Sequence, residues 1–224
     1  MTLEIENSKV LKATVTPGAQ LTARKGSMLY YRGEVRFVPH SMGGGGGMPG
    51  FGAVAGAAGR MMQGEHVAMM TVEGQGESFF GHDGLHVDLV QLDGASQLTV
   101  EASRLLAHEG YLQTAIVPLT QQGGMRGAVR GAVTGQGMFT TQVSGQGTVA
   151  ILSHGGTFAL EVGPGHPEVV VDPQAYVGHR GPITVDLSAK VGFRDVVGKG
   201  SGEATQLRFT GQGTVWVQAS EQKF

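Results

Sequence analysis

Apolar and polar residues alternate one by one along much of this chain. In ITVDLSAKV, Ile183, Val185, Leu187, Ala189 and Val191 fall on one side and Thr184, Asp186, Ser188 and Lys190 on the other. A period of two sends successive side chains to opposite faces of an extended backbone, so the segment predicts a half-buried strand. LHVDLVQL repeats the pattern, with Leu85, Val87 and Leu89 expected inward and His86 and Asp88 outward, and TQLRFT does so with Leu207 and Phe209 inward. Asp83-Gly84, Asp93-Gly94 and Gly155-Gly156 read as two-residue hairpins, which need positive φ. Helical periodicity is nearly absent. The one stretch rich in alanine and methionine, Ala53–Met70, follows a tract of glycines at 43–47. The pattern predicts an all-β protein.

The strands also recur. A short apolar run closing on a glycine occurs as LTARKG (Leu21–Gly26), LLAHEG (Leu105–Gly110) and YVGHRG (Tyr176–Gly181), and Gly-Gln-Gly occurs at 74–76, 145–147 and 211–213. From Gly76 to Gly110 is 34 residues, and from Gly147 to Gly181 is again 34. The spacing predicts a single domain, residues 1–224, of three units: about 1–73 with a closing strand from 211–220, then 74–144, then 145–210. The closing strand, Thr214–Gln218, is expected to complete the layer begun by the N-terminal unit. A third of the chain is only about 70 residues and buries too little surface alone, so neighbouring units must cover one another. Residues 41–60 read as a Gly/Met-rich inserted loop, because Gly26 to Gly76 spans 50 residues and Gly110 to Gly147 only 37.

Composition narrows the classes. Charged residues make up 15% of the chain, against roughly 25% in a typical soluble domain, and a surface so poor in charge points to subunit contacts. A formal net charge of −2 gives no global attraction for nucleic acid or an anionic membrane. The absence of cysteine excludes disulfides, thiolate nucleophiles and Cys-based zinc sites. The opening MTLEIENSKVLKATV lacks a basic region followed by an apolar core, and no run approaches the roughly 20 apolar residues of a membrane-spanning helix. A cytoplasmic protein is the expectation.

The order of turn block, glycine-rich connection, Arg60-Met61-Met62-Gln63-Gly64-Glu65 and Gly-x-Gly strand resembles the altered-inheritance-of-mitochondria family in its bacterial form. So does the closing phrase Phe209-Thr210-Gly211-Gln212-Gly213-Thr214-Val215-Trp216-Val217-Gln218. The chain departs from that pattern at His66-Val67-Ala68-Met69, where an aromatic is usual, and at Gln146 and Gln212, where proline is common. The resemblance implies three fused units like the trp RNA-binding attenuation protein, in a double-stranded β-helix, often as a trimer. It also implies a tie to inner-membrane organisation in a mitochondrial relative. It carries over no catalytic residues.

Candidate chemistry is sparse. His82 and His86 are four apart across a turn, and His82 matches His154 beside a second turn, as His108 matches His179 and, in the first unit, Arg24. Structural turns are favoured over a metal site. His108-Glu109 opens like a zincin helix, but Leu112 stands where the second histidine belongs. Residues 192–200 resemble a phosphate loop one residue too long, with Gly200 in place of the hydroxyl. Gly50, Gly52 and Gly56 lack the strand and helix of a dinucleotide site. Lys9, Lys12, Arg24, Lys25, Arg32 and Arg36 surround Tyr30 and Tyr31, a mixture on which bases can stack, yet no matching basic stripe recurs, so nucleic acid is not expected.

Methionine is dense at 42, 48, 61, 62, 69 and 70; Met69 and Met70 are expected in the core. Met48, Phe51, Val54, Met61 and Met62 are the candidate partner-binding residues, since flexible thioethers adapt to varied surfaces. No catalytic residue, metal site or cofactor is expected. The sequence therefore reads as a non-enzymatic homotrimeric scaffold presenting loops to a protein or membrane-surface partner. A small-molecule or metal-binding barrel related to cupins, or an RNA-binding protein, are the alternatives.

Overall fold

A computed structural model of the chain describes residues 1–39, 67–119, 139–189 and 205–220. These form seventeen strands and one 3-10 turn, Ala102–Arg104. The strands are β1 (Thr2–Asn7), β2 (Val10–Val15), β3 (Leu21–Arg24), β4 (Met28–Pro39), β5 (Met69–Phe80) and β6 (His86–Asp93). There follow β7 (Leu98–Glu101), β8 (Leu105–Glu109), β9 (Gln113–Pro118), β10 (Phe139–Ser144), β11 (Gln146–Ser153) and β12 (Thr157–Val162). The last are β13 (Glu168–Val171), β14 (Tyr176–Arg180), β15 (Ile183–Ala189), β16 (Thr205–Gly211) and β17 (Gly213–Gln218).

One sheet runs β1-β2-β5-β3-β8-β11-β6, with β4 also on β5. Its two ends meet: the Val87 amide donates to the Ser8 carbonyl at 2.9 Å, so the sheet curls into a nearly closed barrel. A second sheet runs β12-β17-β14-β7-β10-β9, and a third runs β13-β16-β15.

Three apolar clusters fill the spaces between these walls. The first gathers Leu11, Val15, Leu21, Val72, Phe80 and Leu152, and the second Leu98, Val100, Leu105, Val149, Ile151 and Val177. The third gathers Val162, Val171, Tyr176, Leu207, Phe209 and Val215. Strand β11 is common to the first two: Ala150 and Leu152 face one, Val149 and Ile151 the other. Its unbroken apolar run is what burial on both faces requires. Strand β6 changes cluster along its length: Val87, with Leu85 just before the strand, joins the first cluster, and Val90 and Leu92 on its other face join the second. Alternation assigned the inward face to Leu85, Val87 and Leu89, which is the first cluster's face only. Leu207 and Phe209 are inward as expected, and Met69 and Met70 are both buried.

Each Gly-Gln-Gly is a corner at which a long strand changes direction. The first glycines, Gly74, Gly145 and Gly211, have φ of 122°, 113° and 115°, which a side chain rarely tolerates. The strand after each corner is paired alike. Two residues past the second glycine, Ser78 faces Tyr31, Val149 faces His108, and Val215 faces His179. Further along, each partner strand shifts register by one residue, and the extra residues are Leu29, Leu106 and Val177. On their other edges β8 and β14 pair β3 and β7, with Thr22 opposite His108 and Thr99 opposite His179.

These registers correct three expectations. Arg24 is not the counterpart of His108 and His179; β3 pairs as β7 does, and the residue in the histidine's place is Tyr31. The matching tripeptides are thus Tyr31-Arg32-Gly33, His108-Glu109-Gly110 and His179-Arg180-Gly181. Second, β17 lies between β12 and β14, so it does not complete the N-terminal layer, and β1 pairs β2. Third, the turn dipeptides bend the chain without making hairpins. Asp83 and Gly84 both have positive φ, at 48° and 67°, yet they join β5 to β6, which are not ladder partners. Gly155-Gly156 joins β11 to β12 and Asp93-Gly94 leads from β6 to β7, again without pairing. The sequence neighbours that do pair are β1 with β2, β4 with β5, β9 with β10 and β15 with β16.

Candidate functional site

Open grooves lie beside all three Gly-Gln-Gly corners, each with a carboxylate engaged by its own chain, and the first is lined by Glu34 as well. In the first, Glu73 accepts from Gln20 Nε2 at 3.1 Å and pairs with Arg36 at 3.2 Å. In the second, Glu109 Oε2 accepts from the Thr148 amide at 2.9 Å and from the Tyr111 hydroxyl at 2.5 Å. That bond to Glu109 raises the Tyr111 pKa. In the third, Glu161 accepts from the Thr214 hydroxyl at 3.0 Å.

A further open groove lies between the second and third sheets and is lined by neutral groups, among them Thr99, Gln142, Ser144 and Thr184, with His179 at its wall. His179 Nδ1 lies 2.8 Å from the Tyr176 hydroxyl. Burial holds the His179 pKa down at about 4 and pushes Tyr176 well up, so both are neutral at physiological pH. The other matched histidine, His108, is also buried and donates from Nδ1 to the Glu109 carbonyl at 2.8 Å. Both histidines are wall residues within strands β8 and β14 rather than turn residues.

A charged cluster braces the 3-10 turn against the end of β3. Arg24 Nη1 donates to the Ser103 carbonyl at 2.8 Å, while Glu101 accepts from the Ser103 amide at 3.0 Å and from its hydroxyl. The buried Arg104 lies 3.8 Å from Glu101, and burial lowers the pKa of both arginines. His82, 3.2 Å from Asp83, and His154 also have lowered pKa values, first through burial and then through the nearby arginines. Among the described residues no three His, Cys, Asp or Glu side chains stand close enough to hold a metal ion. His82 and His86 are not part of such a set.

The N-terminal basic residues are largely spoken for. Lys12 pairs with Glu77 at 2.8 Å, Arg36 with Glu73, Arg24 with the Ser103 carbonyl, and Arg32 sits 5.9 Å from the Tyr30 ring centroid. Tyr30 itself is stacked on Phe79, at 4.1 Å between ring centroids, rather than offering a free face on both sides.

Exposed apolar side chains concentrate on strands paired along one edge only. Leu29, Tyr30, Tyr31 and Val38 lie on β4, which pairs β5 alone; Phe158 lies on β12, Val170 on β13 and Leu187 on β15, each an edge strand. The exposed patch on β4 is not among the candidate partner-binding residues of the sequence; of its members only Tyr30 and Tyr31 enter that reading, weighed as a surface for stacking bases and set aside. The residues singled out instead, Met48, Phe51, Val54, Met61 and Met62, lie outside the described residues.

No helix among the described residues is long and apolar enough to cross a membrane. The fold is similar to a crystal structure of a protein from Streptococcus pyogenes, with a TM-score of 0.70 over 98% of this chain and 93% of that one at 20% sequence identity. No curated protein matches the sequence. The family model described as mitochondrial biogenesis AIM24 matches residues 1–220, nearly the whole chain, and the protein belongs to that family.

Proposed function

We propose that the protein is a non-enzymatic scaffold that works as a homotrimer, each chain being three tandem units of a double-stranded β-helix. The three like-paired Gly-Gln-Gly corners and the three equivalent register shifts support the three-unit reading. One observation carries the functional reading: the apolar surface exposed by the single chain lies along free sheet edges, where another chain adds strands. The cluster interiors are filled by Leu, Val, Phe and Ile rather than by inward polar groups, which weighs against a cupin-like ligand barrel. The partner in this reading is a protein or a membrane surface, with Met48, Phe51, Val54, Met61 and Met62 as the contact residues.

Native mass spectrometry on protein purified without chelator tests this. A trimer without adduct is the expected result. A monomer at micromolar concentration defeats the scaffold, and a stoichiometric adduct that survives mild activation moves the ligand-barrel reading ahead of it.

A further inference from the structure

The registers point to how the copies join, an inference that rests on the trimeric scaffold just proposed. Inside the chain, successive units meet twice by the same ladder. Strand β8 lies on β3 with Leu21, Thr22 and Ala23 opposite Glu109, His108 and Ala107. Strand β14 lies on β7 with Leu98, Thr99 and Val100 opposite Arg180, His179 and Gly178. The strand that plays the part of β3 and β7 in the last unit is β13, since Val169 faces Phe209 two residues before Gly211, as Leu21 faces Val72 and Leu98 faces Val143. The strand that plays the part of β8 and β14 in the first unit is the first half of β4, since Tyr31 takes the place of His108 and His179. Both are unpaired on the edge in question, β13 bonding only to β16 and β4 only to β5 among the described residues.

Burial marks the same two edges as unfinished. Thr22 and Thr99 are 2% and 8% exposed, but their counterpart Val170 is 46% exposed. His108 and His179 are 3% and 8% exposed, but Tyr31 is 47% exposed. The shifted residues show the contrast most sharply. A bulge re-aims a side chain, and Leu106 and Val177 are thereby buried completely in the first and second clusters, each among residues of the preceding unit. Leu29, at the third such bulge, is 53% exposed and has no preceding unit in its own chain.

The geometry points to a second copy of this chain as the occupant of both edges. The first half of β4 in one copy pairs antiparallel with β13 of the next, with Tyr30 opposite Val171, Tyr31 opposite Val170 and Arg32 opposite Val169. Leu29 enters the neighbour's third cluster beside Val171 and Phe209, as Leu106 and Val177 enter theirs. Glu168 then lies one step from Arg32 across the junction. The contact is head to tail, so it has to close into a ring or grow without limit; three copies close it here as nine successive units.

The chain has no cysteine, which makes paired cysteines a clean probe. Side chains directly opposite in an antiparallel ladder have Cβ atoms about 4.5–5.5 Å apart, within small adjustment of a disulfide. Tyr31→Cys with Val170→Cys is expected to give covalent dimers and trimers under mild oxidation. Val38→Cys with Val170→Cys, displaced by roughly 23 Å along the strand, is expected to stay at chain mass on a non-reducing gel. Leu29→Lys in the wild-type background is expected to reduce the trimer to monomer with an unchanged circular dichroism spectrum. An oligomer that survives Leu29→Lys and cross-links equally at both cysteine pairs overturns this edge register and leaves the scaffold standing. A wild-type chain that is monomeric overturns both.

Discussion

At the scale of single residues, His179 is the side chain whose burial has the clearest consequence. Its pKa falls from 6.5 to about 4 in the folded chain because burial penalises the imidazolium. Below pH 6.5 the unfolded chain therefore takes up a proton that the folded chain refuses. The resulting stability is complete above pH 6.5 and is lost as pH falls toward 4, amounting to about 3 kcal/mol across that window. His179→Gln removes this titration, so the gap in urea midpoint between wild type and variant is expected to narrow from pH 7.5 to pH 4.5. A gap that stays constant would show that His179 titrates alike in both states. Glycines offer a second contrast. Gly181 has φ +104°, and a Cβ there would sit 2.5 Å from the Gln212 carbonyl oxygen, whereas Gly18 has φ +83° and open space around it. Gly18→Ala meets only backbone strain, about 1 kcal/mol, while Gly181→Ala adds a clash and is expected to cost about 3 kcal/mol or more. Thermal melts of the two variants side by side measure the difference.

At the scale of elements, the bulged residues separate what holds one chain from what it leaves open. Leu106→Ala opens a cavity in the first cluster and is expected to cost about 2–5 kcal/mol, whereas Leu29→Ala on the exposed bulge of β4 changes the stability of a dilute, dissociated chain by no more than about 0.5 kcal/mol. Denaturant titrations at concentrations where the chain is monomeric provide the comparison; equal losses would place Leu29 in the chain's own core. The same elements show what could be read from the sequence. Alternation found β16 because Leu207 and Phe209 share one buried face, and β15 because Val185 faces the same cluster although Leu187 is exposed; the Gly-Gln-Gly corners were legible because positive φ demands glycine. Strands β6 and β11 were less legible. Strand β11 is buried on both faces, and β6 passes from the first cluster to the second along its length, so Val90 and Leu92 stand out of phase with Leu85 and Val87. LTARKG was matched to LLAHEG because short apolar strands ending in glycine look alike, and which edge a strand offers is decided by partners far along the chain. Thr22 paired with His108 is such a contact. The exposed edge of β4 was obscured for a similar reason. Tyr30 and Tyr31 stand among basic residues in sequence, and only the ladder shows that their strand has an open edge.

At the scale of the molecule, the clusters are coupled by shared walls rather than by linkers. Val149 and Ile151 belong to one core while Ala150 and Leu152 of the same strand belong to another; Tyr176 and Val177 split likewise between the third and second. Loss of one cluster strips a face from a strand that the next one needs, so the chain has no boundary at which partial unfolding would be cheap. The single tryptophan, Trp216, reports on this. It lies on β17, packed against the second cluster, in a sheet that shares no strand with β2. Leu11 on β2 is fully buried in the first cluster. Leu11→Ala is expected to destabilise the chain by about 2–5 kcal/mol. If the walls couple the clusters, the Trp216 fluorescence midpoint in urea moves as far as the midpoint seen by circular dichroism, and the two transitions stay superimposed, as a two-state chain requires. A fluorescence transition left in place while the dichroism midpoint falls would mean that the first barrel unfolds on its own, and the chain would then be an array of separable units rather than one cooperative body.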